Sequence, residues 1–341
     1  MAARISPRRN STSYCAEGKT GEAYAAAVIS GRSRNPAAYL GDNEQLSTNN
    51  QSKLQIQPPV ADSKPDGPWH PGQEPFRASY LRRTNPCAVE LVFLGTGTSQ
   101  GIPVIGCGCE VCTSTDPRDK RTRSSVLVRN NGVNLLIDAG PDLRQQMLRE
   151  QVSELGGVLL THEHMDHISG MDDLRAFSFA HEPPRAVQVF GDARTLHAVQ
   201  RVYAYAFNGH GYPGIPQFQL NTIADQPFVA AGVPVMPVEV MHQQLPVKGF
   251  RIGAYAYITD AKTVAPEEKA KLRGLNVLVV NALRKKPHYS HFNLEEALTL
   301  VAELAPGRAF LTHISHLMGR HADVVLPANV QLAHDGLKVA V

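Results

Sequence analysis

The chain has 341 residues, of which 43% are hydrophobic, enough for one large domain or two ordinary ones. Residues 86–341 carry 23 Lys and Arg against 24 Asp and Glu, whereas residues 1–85 carry 11 against 7. The larger part therefore lacks the basic character of a nucleic-acid-binding domain. No apolar run is long enough to cross a bilayer. We expect a soluble protein with no membrane partner, and we do not expect nucleic acid to be its substrate.

The cysteines are few and odd in number: Cys15, Cys87, Cys107, Cys109 and Cys112. Three of them lie close together in a short segment. Such a cluster favours a metal site in a reducing compartment over a framework of disulfides.

Residues 1–85 are rich in Ser, Asn, Gln, Ala, Gly and Pro and show no sustained hydrophobic period. This composition buries too little apolar surface to offset its ordering entropy, so we predict a disordered extension. The first 35 residues hold six basic and two acidic side chains. That balance suits an organelle transit peptide or an ordinary extension. The cytoplasm, a plastid and a mitochondrion thus remain open as locations.

From Val89 onward, predicted strands and helices follow one another. VELVFLG (89–95) predicts a strand, and SSVLVRNNGVNLLID (124–138) predicts a hairpin around Asn-Asn-Gly. Further strands are predicted in GGVLLT, VPVMPVEVMH, GFRIGAYAYITD, NVLVVNAL and RAFLTH, and helices in PDLRQQMLREQ, DDLRAFSFA, DARTLHAVQRVYAYAF and LEEALTLVAEL. Two similar halves of this kind predict an α/β fold with helices packed on two central sheets.

Residues 161–170 read THEHMDHISG, directly after the apolar run GGVLL of a predicted strand. Imidazoles and carboxylates are poor core groups, whereas metal coordination needs these donors. Three more candidates end other predicted strands, namely His242, Asp260 and His313. Side chains at the carboxyl ends of strands converge on one rim, where a rigid scaffold holds them precisely. The pattern therefore predicts a metal site.

The pattern T-H-x-H-x-D-H, with a later His, a later Asp and a final T-H, resembles the metallo-β-lactamase-fold hydrolases over roughly residues 89–341. The resemblance implies a four-layer αββα sandwich over a hydrolase domain at 86–341, with two Zn or Mn ions at its catalytic site. It assigns His162, His164 and His242 to one ion, Asp166, His167 and His313 to the second, and Asp260 to both. Flavodiiron members of the fold have Glu at the position of His164, so His favours hydrolysis.

Cys107-x-Cys109-x-x-Cys112 can supply three corners of a tetrahedral zinc site. One branch of the fold has such a triplet, completed by a His that matches His316 here. That branch is similar to the phosphodiesterase that opens a phosphoribosyl cyclic phosphate in bacterial phosphonate breakdown. The resemblance therefore implies one structural zinc. A cluster of reduced thiols is the alternative.

Two further side chains are candidates for the chemistry. His291 precedes the helix LEEALTL and matches a substrate-facing His of the related phosphodiesterases, which implies a general-acid or phosphate-stabilising role. Asp166 is expected to orient the attacking water as well as bind metal, and Asp138 to support the ligands from behind. The alternatives are a loop or capping role for His291 and a helix start at Asp138. For His288 a role in the chemistry is the weaker interpretation.

Two loops remain open. RDKRTRSS (118–125) can attract phosphate, but charge runs are usually solvated, and we favour that interpretation. YAFNGHGYPGIPQF (205–218) is a candidate cap over the substrate.

We therefore predict a dinuclear-metal phosphodiesterase that cleaves a small phosphodiester, cyclic ones included, through a metal-bridging hydroxide. Thioester, lactone or lactam hydrolysis on the same fold, RNA 3′ processing and a non-catalytic metal-binding scaffold are the alternatives. The Cys triplet with His316 and His291 favours the first function. The near-neutral charge disfavours RNA, and retention of all seven ligands disfavours a scaffold. The oligomeric state stays open, a homodimer included.

Overall fold

The computed structural model describes residues 89–208 and 213–341. The predicted extension at 1–85, including its interpretation as a transit peptide, lies outside these residues, as do Cys15 and Cys87. The middle of the predicted cap loop, residues 209–212, lies outside them as well.

The first sheet has seven strands among the described residues. They are β1 (Glu90–Gly95), β2 (Ser125–Asn130), β3 (Val133–Ile137), β4 (Gly157–Leu159), β5 (Val187–Gly191), β6 (Phe218–Thr222) and the C-terminal β14 (Lys338–Ala340). Their order is β14-β1-β2-β3-β4-β5-β6. Neighbours are antiparallel from β14 to β3 and parallel from β3 to β6.

The second sheet repeats this plan. Its strands are β7 (Phe228–Ala230), β8 (Val233–His242), β9 (Leu245–Ile252), β10 (Tyr255–Tyr257), β11 (Val277–Asn281), β12 (Arg308–Thr312) and β13 (Val330–Leu332). Their order is β13-β12-β11-β10-β9-β8-β7. Neighbours are antiparallel from β7 to β10 and parallel from β10 to β13.

The α-helices of the described residues connect the strands. They are α1 (Leu143–Arg149), α2 (Met165–Ile168), α3 (Arg175–Phe179), α4 (Ala193–Val202), α5 (Ala204–Phe207), α6 (Pro266–Lys271) and α7 (Leu294–Leu304). None of the helices in 89–208 and 213–341 is long and apolar enough to cross a membrane.

Alternating side chains explain the layers. In β1, Phe93 belongs to the apolar cluster between the two sheets, whereas Leu94 belongs to the cluster that packs under α1 and α4. In β11, Val279 likewise faces the other sheet and Val280 faces α7. Strands that bury both faces need such continuous apolar runs. The four-layer αββα sandwich expected from the sequence is confirmed.

The hairpin predicted at Asn-Asn-Gly is also confirmed, with Asn131 and Gly132 both at positive φ between β2 and β3. The single strand predicted in GFRIGAYAYITD is wrong. The chain turns at Gly253, whose φ is 58°, and the segment is divided between β9 and β10. The long helix predicted around Val199 is similarly interrupted at Tyr203, so α4 and α5 are separate.

Candidate metal centre

The predicted ligands meet at one rim of the sandwich, and both sheets contribute. His162 and His164 follow β4 of the first sheet, and the short helix α2 carries Asp166 and His167. From the second sheet, His242 is the last residue of β8, Asp260 follows β10, and His313 follows β12. The shared strand-end position thus places donors from distant parts of the sequence together.

Asp260 lies in the middle of this group. Its Oδ2 is 3.3 Å from Nε2 of His167 and its Oδ1 is 3.3 Å from Nε2 of His313. Three sets of donors each lie within 4.8 Å of one another: His162, His167 and Asp260; Asp166, His167 and His313; His242, Asp260 and His291. His164 adjoins them, with Nδ1 2.9 Å from Nε2 of His162. All seven predicted ligands are therefore neighbours.

Hydrogen bonds orient the His167 ring. Its Nδ1 lies 2.7 Å from Oδ2 of Asp138, whose carboxylate also accepts from the backbone N–H and the hydroxyl of Thr161. Nε2 of His167 is buried without a hydrogen-bond partner, 3.2 Å from Oδ2 of Asp166. A buried imidazole nitrogen that faces two carboxylates suits a cation. The donor set thus fits the expected metal ions.

The rings of His242 and His313 are held by residues that the sequence did not predict for the site. The Ser290 carbonyl lies 2.8 Å from Nδ1 of His242. His313 lies between the hydroxyls of Ser124 and Thr98, at 3.2 and 3.1 Å. A lone serine or threonine far away in the chain carries no local signal for such a role. Only the tertiary structure identifies these partners.

Two close backbone approaches let the ligand turn pack on the loop after β3. A Cβ on Gly140 would lie 2.1 Å from the carbonyl oxygen of Asp166, and one on Gly170 would lie 1.9 Å from that of Gly140. The loop and the turn are joined by hydrogen bonds from Ala139 N to the carbonyl of His167 and from Gly170 N to the carbonyl of Ala139. Glycine at 140 and 170 is therefore a packing requirement.

The histidines of the site differ in the direction in which their pKa values are shifted. Burial lowers the pKa of His162, His164 and His313, which keeps these imidazoles in the neutral form that binds metal. Burial opposes protonation of His167 too, but the carboxylates of Asp166, Asp138 and Asp260 together raise its pKa well above the ordinary value. The site is thus rich in negative charge around His167. A divalent ion would take the place of that proton.

His291 is buried beside the ligands, with Nδ1 3.7 Å from Oδ1 of Asp260 and without a hydrogen-bond partner. Burial lowers its pKa to about 3. Its ring lies between those of His242 and His313, at 4.4 and 5.0 Å. His288 is farther out and accepts a hydrogen bond from Ser290 N. The structure therefore places His291, rather than His288, within the ligand group.

The Cys cluster is assembled across the fold. Nδ1 of His316 lies 3.4, 3.3 and 3.6 Å from the Sγ atoms of Cys107, Cys109 and Cys112. A tetrahedral zinc with ordinary bond lengths would hold sulfur and nitrogen about 3.5 Å apart. The backbone N–H groups of Val104 and Cys112 also point at the sulfurs of Cys112 and Cys109. These four predicted residues therefore form a zinc-sized cluster.

Basic side chains of the loop RDKRTRSS bind other groups of the protein. Its interpretation as a solvated charge run is wrong for Arg121, its central arginine. Arg121 is buried, and its guanidinium donates to the Thr96 hydroxyl and the Ala333 carbonyl. Arg118 pairs with Asp116 on the surface. A buried guanidinium is tolerated where its N–H groups are satisfied. Phosphate attraction by this loop thus finds no support.

A cavity of about 430 Å³ opens beside the ligands. His164, His242 and Ser290 line it, together with Gln243, Gln244 and Tyr289, which the sequence analysis did not select. A signal was present, because the two glutamines follow a ligand at a strand end and the tyrosine separates two of the histidines. The volume is that of an ordinary small-molecule site.

Comparison with known proteins identifies the family of this fold. Residues 133–314 match the profile of the β-lactamase superfamily domain, just over half of the chain. The chain belongs to the β-lactamase superfamily. This β-lactamase superfamily member is also 37% identical to a solved structure described as a new diphosphatase from the PhnP family, with a TM-score of 0.70. The match covers 74% of this chain and 97% of the other.

Two curated relatives widen the range of activities. An octanoyltransferase of Porphyromonas gingivalis is 38% identical over 255 residues, which cover 73% of this chain and 51% of that protein. The chain thus spans about half the length of this relative. A ribonuclease Z of Bradyrhizobium is 24% identical over 311 residues, which cover 74% of this chain and 97% of the ribonuclease. The expectation that nucleic acid is not the substrate is therefore not supported.

Proposed function

We propose that this hydrolase of the metallo-β-lactamase fold is a metal-dependent phosphodiesterase that cleaves small phosphodiesters. One observation carries the proposal. Seven side chains with nitrogen or oxygen donors, Asp260 among them, meet from both sheets at the edge of a cavity large enough for a small substrate. The 37% identity to a PhnP-family diphosphatase supports phosphate-ester chemistry for this site.

In this proposal His162, His164 and His242 bind one divalent ion, and Asp166, His167 and His313 bind a second. Asp260 would serve both ions, because its carboxylate lies within 4.8 Å of donors of His162 and His242 and 3.3 Å from the Nε2 atoms of His167 and His313. Zinc or manganese suits this mixture of imidazole and carboxylate. When bound, such a pair of ions would lower the pKa of bound water and polarise the phosphoryl oxygen.

The side chains then do the positioning. Asp166 accepts a hydrogen bond from the attacking water and so orients it toward phosphorus. Asp138 holds the proton on Nδ1 of His167 and thereby keeps Nε2 free for the metal. Nδ1 of His291 makes no hydrogen bond, so the single ring proton can lie on Nε2 and be donated to the phosphate or the leaving oxygen.

We also propose one structural zinc at Cys107, Cys109, Cys112 and His316. The sulfur–nitrogen distances of 3.3 to 3.6 Å support it. All four positions would be filled by protein, so this ion has no open position for substrate. It would tie the early loop to the segment that follows His313.

An acyl thioesterase is the second candidate, and the octanoyltransferase relative is the observation that favours it. The same polarised oxygen and activated water would serve a thioester carbonyl. The Cys cluster and the position of His291 favour the phosphodiester.

The deciding experiment uses the full chain loaded with Zn²⁺ or Mn²⁺. We expect hydrolysis of bis(4-nitrophenyl) phosphate, abolished in Asp166→Ala and retained in Asp173→Ala, an exposed neighbour. Metal analysis should give three ions per chain, and Cys112→Ser should remove one. Parallel assays use octanoyl thioester and a precursor transfer RNA. Turnover of either without phosphodiester turnover, in protein confirmed to hold its ions, contradicts the proposal.

A further inference from the structure

One wall of the cavity beside the metal ligands has no part in the hydrolysis proposed above. Gln243 and Gln244 contribute to it from the turn between β8 and β9, and Tyr289 contributes to it from the loop before α7. All three residues are exposed. They adjoin His164 and His242 in the lining, so a molecule held by the metal ligands would extend along them.

Tyr289 has a solvent-exposed aromatic ring that contacts a neighbouring histidine ring. It is 72% exposed, yet its ring lies 4.6 Å from that of His288 at an interplanar angle of 31°. His288 in turn lies 5.2 Å from the ring of His291. A row of tilted rings thus connects the tyrosine to the candidate metal site. A rigid, exposed ring is a suitable surface for a planar ligand.

The loop that carries Tyr289 is fixed at several points. Arg284 donates to the carbonyls of Lys286 and Pro287, at 3.2 and 2.7 Å. Ser290 is tied by its carbonyl to the ring of His242. Tyr289 therefore keeps its position relative to the metal ligands, as a recognition residue must.

The glutamine turn shows local strain. His242 pairs with Leu245, so Gln243 and Gln244 form a two-residue hairpin turn. Gln243 has a φ of 59°, a conformation that glycine and asparagine adopt far more readily. Neither glutamine amide makes a hydrogen bond to the rest of residues 89–208 and 213–341. Strain at a cavity wall points to a function for the side chain.

We infer that Tyr289 and the Gln243–Gln244 turn form a subsite for a planar, nitrogen-bearing ring of the substrate, of the kind found in a nucleoside. Tyr289 stacks on the ring face, and the amides, each both donor and acceptor, pair with its polar edge. This inference rests on the proposed function for the phosphate ester. A simple aryl ester shares the flat ring and lacks the polar edge.

Calorimetric binding to the metal-loaded full chain tests the subsite with adenosine monophosphate, phenyl phosphate and ribose 5-phosphate as probes. We expect adenosine monophosphate to bind at least about 5-fold more tightly than ribose 5-phosphate, the contribution of one stacked base. Tyr289→Ser should abolish this preference and Tyr289→Phe should keep it. Phe179→Ser, at an exposed aromatic residue that does not line the cavity, should leave it unchanged.

Gln243→Gly separates recognition from folding. Glycine relieves the positive φ, so the variant should be at least as stable as the wild type. It should nevertheless reduce the difference in binding affinity between adenosine monophosphate and phenyl phosphate. If phenyl phosphate binds as tightly as adenosine monophosphate to the wild type, the ring is recognised by its face alone and the amide role is overturned.

Equal affinities for adenosine monophosphate and ribose 5-phosphate, or a preference that survives in Tyr289→Ser, overturn the subsite. These measurements need no turnover, so they are independent of the phosphodiesterase assay. A Tyr289-dependent preference in a protein that cleaves no phosphodiester would refute only the proposed reaction. Turnover without the preference would refute only the subsite.

Discussion

At the scale of single residues, the metal-site histidines depend on neighbours that fix which ring nitrogen is free. Nδ1 of His167 faces Asp138, and Nδ1 of His242 faces the Ser290 carbonyl. In each ring the other nitrogen is left for the site. A partner behind the ligand raises its basicity and fixes its orientation, so the ligands act only together with these contacts.

Replacement of Asp138 by asparagine tests this dependence. The asparagine side chain has the same shape as aspartate, but the anionic acceptor that faces Nδ1 of His167 is lost. We expect metal affinity to fall about 10- to 100-fold. Competition with a chromophoric chelator measures it, and Asp116→Asn, at a surface ion pair, is the control. An unchanged affinity in folded Asp138→Asn protein would contradict a supporting role for this carboxylate.

A methyl group at Gly140 should disturb the same site from the backbone. Its Cβ would lie 2.1 Å from the Asp166 carbonyl oxygen, so the ligand turn must shift. We expect Gly140→Ala to cost about 1–3 kcal/mol of stability and to lower metal occupancy. Chemical denaturation and metal analysis report the two effects. Gly108→Ala, where a Cβ meets no atom within 4 Å, should show neither loss of occupancy nor a comparable cost.

At the scale of elements, the segments that carry the ligands follow the ends of strands, and α7 begins three residues after His291. Asn293 caps this helix by accepting from Glu296 N, and the Glu296 carboxylate accepts from Asn293 N. The reciprocal pair satisfies two backbone donors that would otherwise lack partners. The cap therefore fixes the helix start close to the catalytic loop.

Asn293→Ala removes the cap and should lower the free energy of unfolding by about 1 kcal/mol. Asn293→Ser restores an oxygen acceptor and should recover most of this loss. Urea denaturation of the three proteins gives the comparison. Equal stability of the alanine and serine variants would show that the capping hydrogen bond contributes little.

At the scale of the whole domain, a buried polar network joins the loop after β1, the basic loop and the C-terminal segment. Arg121 donates to the Thr96 hydroxyl and lies 3.1 Å from Nδ1 of His321. Asp335 accepts from the hydroxyls of Thr96 and Thr122. Because the network spans most of the described sequence, it stabilises the closed sandwich rather than one element.

This network predicts sensitivity to acid. Burial, and next the Arg121 guanidinium, lower the pKa of His321 to about 4 from an ordinary value of 6.5. The unfolded chain therefore binds a proton that the folded chain does not. The contribution of His321 is present above pH 6.5 and is lost as the pH falls toward 4.

Urea midpoints of the wild type and His321→Gln between pH 7.5 and 4.5 measure this effect. Other histidines titrate in both proteins, so the difference between the two isolates His321. We expect the wild type to lose more stability than the variant over this window. Parallel curves for the two proteins would rule out the predicted linkage.

The sequence by itself determined the fold class and predicted the donors of the proposed metal centre. Alternating apolar residues specify buried strands, and THEHMDH concentrates four donors in one turn, so both signals are local. Side chains after successive strands also share a rim by geometry alone. For this reason His242, Asp260 and His313 could be predicted from the sequence alone.

Only the tertiary structure decided what surrounds those donors. Ser124 and Ser290 come from segments far from His313 and His242, the histidines that they contact, and nothing in their local sequence shows that proximity. The burial of Arg121 likewise depends on groups beyond its own loop. Contacts between distant segments follow from how the two sheets pack, which a periodicity of two or 3.6 residues does not encode.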